Sequence, residues 1–113
     1  MANAQGWLDE NYPKEERSKI TELHISYKVL EEELDLSDFT NLEELNCFHN
    51  QITALKLDNC KKLKKLICDH NLLTQLDLVS LNCLKELICW NNYLQDLKLP
   101  SQTDQLVNIS PYS

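Results

Sequence analysis

Glycine is almost missing: one stands among 113 residues. That excludes a G-x-G-x-x-G dinucleotide loop and a Walker A loop, because both need several glycines where backbone must approach phosphate. Three prolines exclude collagen and proline-rich linkers. No apolar run approaches the ~20 residues that span a bilayer. The opening Met-Ala-Asn-Ala-Gln-Gly has neither the basic nor the apolar region of a signal peptide, so a cytoplasmic, membrane-free setting is expected. Basic residues are scarce too, 11 against 18 acids, for a net charge of −7. That balance argues against nucleic acid, whose phosphates want a basic surface. One domain is expected at this length, able to bury a core without obligatory disulfides.

Leucine (22) and asparagine (11) are abundant, and both are periodic. Leu42, Leu63 and Leu84 are 21 residues apart, as are Leu45, Leu66 and Leu87. Cys47, Cys68 and Cys89 keep the same interval, and so do Asn50, Asn71 and Asn92. Ile52, Leu73 and Leu94 continue it. Leu34, Leu55, Leu76 and Leu97 form a further series, with Leu36, Leu57, Leu78 and Leu99 two residues on. Phe39, Cys60 and Leu81 share one more register. In the first unit Ile20, Leu23, Ile25 and Leu30 align with the next at 22, so one extra residue lies between Leu30 and Leu34. Fixed periods of this length signal stacked repeats.

The unit L-x-x-L-x-C-x-x-N-x-[IL]-x-x-L-x-L resembles the leucine-rich repeat family in its short form. Cysteine at the sixth position is similar to the cysteine-ladder variety of some internalin-type bacterial surface proteins and of large fungal repeat families. The resemblance implies an α/β fold: a right-handed solenoid with a short parallel sheet on its concave face and an N-terminal helical cap. It also implies that Asn50, Asn71 and Asn92 form an asparagine ladder, and that the domain is a recognition or scaffold module.

The residues support that architecture independently. A unit of this length cannot bury its own apolar face, so units must stack. Leu45-x-Cys47 has period two, which places both side chains on one side of a short strand. Parallel strands are expected near 22–26, 44–48, 65–69 and 86–90. An asparagine at the inward turn can satisfy backbone groups of two turns, having both donors and an acceptor. The Leu-x-Leu series should line the opposite wall. Between its leucines, Asp35, Lys56, Asp77 and Lys98 alternate in sign, and each exposed pair is expected to add ~0.2–1 kcal/mol.

The expected organisation is a cap over 1–19, repeats over 20–99 (20–41, 42–62, 63–83 and 84–99), and a C-terminal cap or truncated repeat over 100–113. In the cap, Ala4, Trp7, Leu8 and Tyr12 are spaced for one face of a helix, Asn3 can cap it and Pro13 ends it. Trp7 covers the core in this reading; in the alternative it anchors a partner. Leu106, Val107 and Ile109 suit a last short strand that blunts the sheet edge; a longer array is the alternative.

Catalytic chemistry finds little footing. Cys47, Cys60, Cys68 and Cys89 fall on core registers and Cys83 on an exposed one, which fits five reduced thiols. Cys47-x-His49 and Cys68-x-His70 make a Cys2His2 set on paper. Yet Cys89 recurs without a histidine, and the thiols should face the core while His49 and His70 lie at the strand-to-turn edge. No enzyme activity, cofactor or metal is expected. The outward strand positions carry more information. Phe48, Ile67, Ile88 and Trp90 are apolar where the fold does not require it, and they should join into one patch. Asn46, Lys65, Asp69 and Glu86 should surround it, the charges at its rim, with Tyr93 extending it. Contiguous apolar surface with a tryptophan anchor marks an interaction site. The function read from the sequence is therefore non-catalytic binding of a protein partner on the concave face. The alternatives are a self-associating homodimeric scaffold and a Cys/His metal or redox protein.

Overall fold

A computed structural model describes residues 2–101 in full and residues 108–110 as backbone. The chain coils into stacked turns, each crossing two β walls. The first wall is a five-stranded parallel sheet built from β2 (Glu22–His24), β4 (Glu44–Asn46), β6 (Lys65–Ile67), β8 (Glu86–Ile88) and β10 (Asn108–Ser110). Its four first strands occupy the opening three residues of the segments expected from the sequence. Leu23, Leu45, Leu66, Leu87 and Ile109 fall in one register across it. The last expected strand is thus present at Asn108–Ser110, while Leu106 and Val107 lie outside the described residues.

The opposite wall is also strand, which the sequence reading did not specify. β1 (Ala2–Asn3), β3 (Leu30–Asp35) and β5 (Gln51–Lys56) form one parallel sheet, and β7 (Gln75–Asp77) pairs with β9 (Asp96–Lys98). The cause is the Leu-x-Leu period of two, which presents one face to the core only in an extended chain. Between the walls lies one core of leucines with Ile25, Ile52, Phe39 and the thiols of Cys47, Cys60, Cys68 and Cys89. Asp35 stands beside Lys56, and Asp77 beside Lys98, in the strand registers. The extra residue of the first unit is absorbed where β3 shifts register on β5 between Glu32 and Glu33, with Glu32 at φ 76°.

Each inward turn is held by an asparagine. Asn50 Nδ2 donates to the carbonyls of Ile25 and Cys47 (2.9 and 3.1 Å), while its Oδ1 accepts from Lys28 and Leu30 amides (3.1 and 3.0 Å). Asn71 bridges Cys47 and Cys68 carbonyls (3.0 and 3.1 Å) and accepts from Ile52 N–H (3.0 Å). Asn92 repeats this with Cys68, Cys89 and Leu73. The residue before each asparagine is left-handed: φ is 59° at His49, 57° at His70 and 56° at Asn91, with Tyr27 at 55° in the matching place of the first unit. A non-glycine residue held there costs of order 1–3 kcal/mol, which the amide bonds must offset.

Helix α1 (Ala4–Asn11) begins at Asn3, whose side chain accepts from Gly6 N–H, and packs on β3. Ala4 and Leu8 are buried, and Trp7 and Tyr12 rest half-buried on the core. A 3₁₀ helix follows at Lys14–Lys19, after Pro13. Inside it sits the residue that sequence reading overlooked. Arg17 is buried, with its guanidinium 5.5 Å from the Phe39 ring. It donates to the Tyr12 carbonyl at 2.8 Å and pairs with Asp9 at 2.9 Å and Asp38 at 3.3 Å. It also reaches the Leu8 carbonyl near the C-terminal end of α1, where a cation is favoured. Arg17 is the only arginine in the chain, beside ten lysines and three histidines. Arginine is the residue suited to a buried fork of this kind.

Two substitutions test which contacts hold the stack. Asn71→Ala should destabilise by about 2–4 kcal/mol, because several buried backbone groups lose their partners together. Asn59→Ala, an exposed asparagine with one long bond, should cost under about 0.5 kcal/mol. Urea unfolding followed by circular dichroism measures both.

Candidate functional site

The outward face of the five-stranded sheet carries the residues singled out from the sequence. Lys65 and Glu86 are register neighbours, and their charged atoms stand 4.0 Å apart. Asn46, Ile67 and Ile88 fill the next register and are half-buried. Asn46 Oδ1 accepts from the Phe48 amide at 3.1 Å, so part of its capacity is spent locally. Past the strand ends the rungs continue: Tyr27 N–H donates to Phe48 O, His49 to Asp69 O, and His70 to Trp90 O, at 3.1, 3.1 and 3.2 Å. Phe48, Asp69 and Trp90 therefore stand on successive rungs.

Asp69 departs from expectation. It was expected as a rim charge, but it is only 4% exposed. Its Oδ2 meets His70 Nδ1 at 2.9 Å, and its Oδ1 is buried with no hydrogen-bond partner among the described residues. Phe48 is half-buried and Trp90 is more open, at 36%. Tyr93 is exposed beyond them.

The structure adds a continuous row of rings that was not foreseen. Tyr27 stacks on His49 at 4.6 Å and meets Phe48 edge-on at 5.2 Å. His49 stacks on His70 at 6.0 Å. His70 stands edge-on to both Phe48 (5.1 Å) and Trp90 (4.9 Å). Along the turn side of this row runs a groove of about 360 Å³ lined by Tyr27, Val29, His49, His70, Leu72 and Tyr93. The signal for the row was available: positions 27, 49 and 70 share one place in the repeat, just ahead of the turn asparagine. A larger polar cleft of about 540 Å³ lies instead beside the cap, around Arg17, Asp9, Asp35 and Asp38.

The Cys/His set does not assemble. The thiols of Cys47 and Cys68 are fully buried in the core, whereas His49 is exposed and His70 lies at the turn. Burial pushes the Cys47 and Cys60 thiols up to about 12, and Cys89 to about 11, from an ordinary 9.0. Cys68 is raised well above that value for the same reason. A thiolate, the form that attacks or ligates, is thus disfavoured at all four. Cys83 alone is exposed. Elsewhere on the outward face Glu22, His24 and Glu44 gather ligand atoms within 4.8 Å, with His24 Nε2 2.6 Å from Glu44. Glu22 and His24 are open to solvent, where such pairs are weak.

The comparisons with known proteins agree with this architecture. A family model for leucine rich repeats (2 copies) matches residues 40–82. Parallel strands recur every 21 or 22 residues through and beyond that segment, a solenoid consistent with a leucine-rich-repeat protein. Leucine-rich repeats are generally protein-interaction modules without enzymatic activity. No curated protein and no solved structure matches the chain. No described helix is long and apolar enough to cross a membrane.

The thiols give a pH dependence with a definite sign. In the unfolded chain they ionise near 9, while the buried ones stay neutral to about 11 or 12. Their contribution to stability is fully present below pH 9 and is lost as the pH rises from there. Urea unfolding of the reduced protein should show a falling unfolding free energy above about pH 9, and Cys68→Ala should make the fall shallower. Alkylation at pH 8 followed by mass spectrometry should label Cys83 and spare the other four thiols.

Proposed function

We propose that this chain is a non-catalytic protein-binding module whose partner docks on the concave face of the five-stranded sheet. The observation that carries the reading is the row of rings from Tyr27 through Phe48 and His70 to Trp90, exposed at its two ends, half-buried at Phe48 and His70, and not needed to fill the core. Ile67 and Ile88 adjoin it on the register below. Half-buried apolar side chains with an aromatic anchor, flanked by Asn46, Lys65 and Glu86, have the make-up of an interface centre and its polar rim. The long side chains of Lys65 and Glu86 would orient the partner rather than supply most of the affinity. A cytoplasmic setting fits the reduced thiols.

The test is a double substitution, Ile67→Asp with Trp90→Asp, against Val79→Asp, which adds the same charge at an exposed site away from the ring row. Both proteins should keep the wild-type circular dichroism spectrum. The double variant should lose partner capture in quantitative pull-downs by at least about tenfold, as removal of a central anchor does. Val79→Asp should capture normally. Undiminished capture by a folded double variant means that the face is wrong. Sizing chromatography over a range of concentration separates this reading from self-association, which requires a dimer that Trp90→Asp dissolves.

A further inference from the structure

One polar atom on this face is left without a role by the fold. Asp69 is more than nine-tenths buried, and its Oδ1 has no hydrogen-bond partner among the described residues. A buried carboxylate oxygen without a partner is costly, so its persistence needs an account. The setting supplies one. Phe48 and Trp90 occupy the rungs on either side of Asp69, each about 4.8 Å away along the sheet. Between those two rings already sits a planar nitrogen ring, His70, edge-on to both and hydrogen bonded to the other carboxylate oxygen. The surroundings are acidic: Glu22, Glu44 and Glu86 share the outward face with Asp69, against Lys65 alone.

Resting on the concave-face reading, we propose that Asp69 Oδ1 is the anchor for a guanidinium, so that the partner presents an arginine side chain beside Trp90, next to the His70 ring that fills the space between Phe48 and Trp90. Guanidinium is the cation that fits best. It is planar and weakly hydrated, stacks on aromatic faces, and donates in a fork to a carboxylate. Oδ1 is enclosed when the site is empty, so admission requires Trp90, the most open ring of the three, to swing outward. The arginine then gives Oδ1 the hydrogen bond it lacks, and the excess acid on the face favours its approach.

The probe is the peptide acetyl-Gly-Arg-Gly-amide, compared with its lysine counterpart and with the version carrying citrulline, a neutral mimic of arginine. The readout is the indole N–H resonance of Trp90, with Trp7 in the cap as internal reference. The arginine peptide should shift Trp90 saturably and leave Trp7 still. The citrulline and lysine peptides should bind about tenfold more weakly or worse. Asp69→Asn, which keeps the shape and removes the charge, should weaken the arginine peptide about ten- to a hundredfold. Equal binding of the citrulline or lysine peptide overturns the proposal, as does an unaffected Asp69→Asn variant or the absence of a saturable Trp90 shift. The peptide series on the native protein decides the matter if Asp69→Asn does not fold. A protein partner lost by Ile67→Asp with Trp90→Asp but retained by Asp69→Asn would remove the arginine anchor and leave the docking face standing. A partner retained by both would remove the face itself.

Discussion

The structure depends on three turn amides, those of Asn50 and Asn71 buried and that of Asn92 half-buried. Each turn of the coil brings backbone carbonyls and amides inward, where water cannot reach them. Asn50, Asn71 and Asn92 satisfy those groups on their own turn and on a neighbour at once. Leucine packing supplies most of the free energy, but it is indifferent to register; a leucine one rung off would pack nearly as well. The amide is not indifferent, because a donor or acceptor displaced by one residue is left unpaired in the core. It fixes which residue sits at the bend, and so which residue must turn left-handed before it.

That constraint orders the outer surface. Tyr27, His49 and His70 stand at the left-handed position, and Phe48, Asp69 and Trp90 one residue ahead of it or on the adjoining rung. Their side chains meet because the rungs are a strand spacing apart, not because any pair of them was selected for contact. In the proposed reading, the acidity of the face and the unpaired oxygen of Asp69 give an otherwise generic aromatic row a chemical preference. At the far end of the stack the work is different. Arg17 ties α1, the 3₁₀ helix and the first corner together by reaching Leu8, Tyr12, Asp9 and Asp38 from one buried guanidinium.

Much of this was legible in the sequence, and the boundary has a physical origin. Periodicity exposed the leucines, the core thiols, the turn asparagines and the short strands beginning at Glu22, Glu44, Lys65 and Glu86. Asn3 and Pro13 marked the cap helix because capping and chain-breaking are local chemistry. Part of what escaped depends on contacts made once. Arg17 has no counterpart one unit on, so no register announced it. Asp69 was expected to be open because alternation places it outward, yet it is buried, with its Oδ2 against His70. The strands of the second wall were hidden because Leu-x-Leu says which way side chains point and not whether backbones pair.

The left-handed residue ahead of each asparagine has a consequence for how such a surface changes over time. Glycine would take that conformation without strain, and the chain uses none there. The bend accepts several kinds of side chain, as tyrosine, histidine and asparagine at positions 27, 49, 70 and 91 already show. Because that side chain leaves the core at once, its identity can drift without reaching the leucines beneath. Scaffold and display are inherited in the same 21 residues yet answer to separate selection, so a new binding preference can arise one rung at a time while the coil stays as it was.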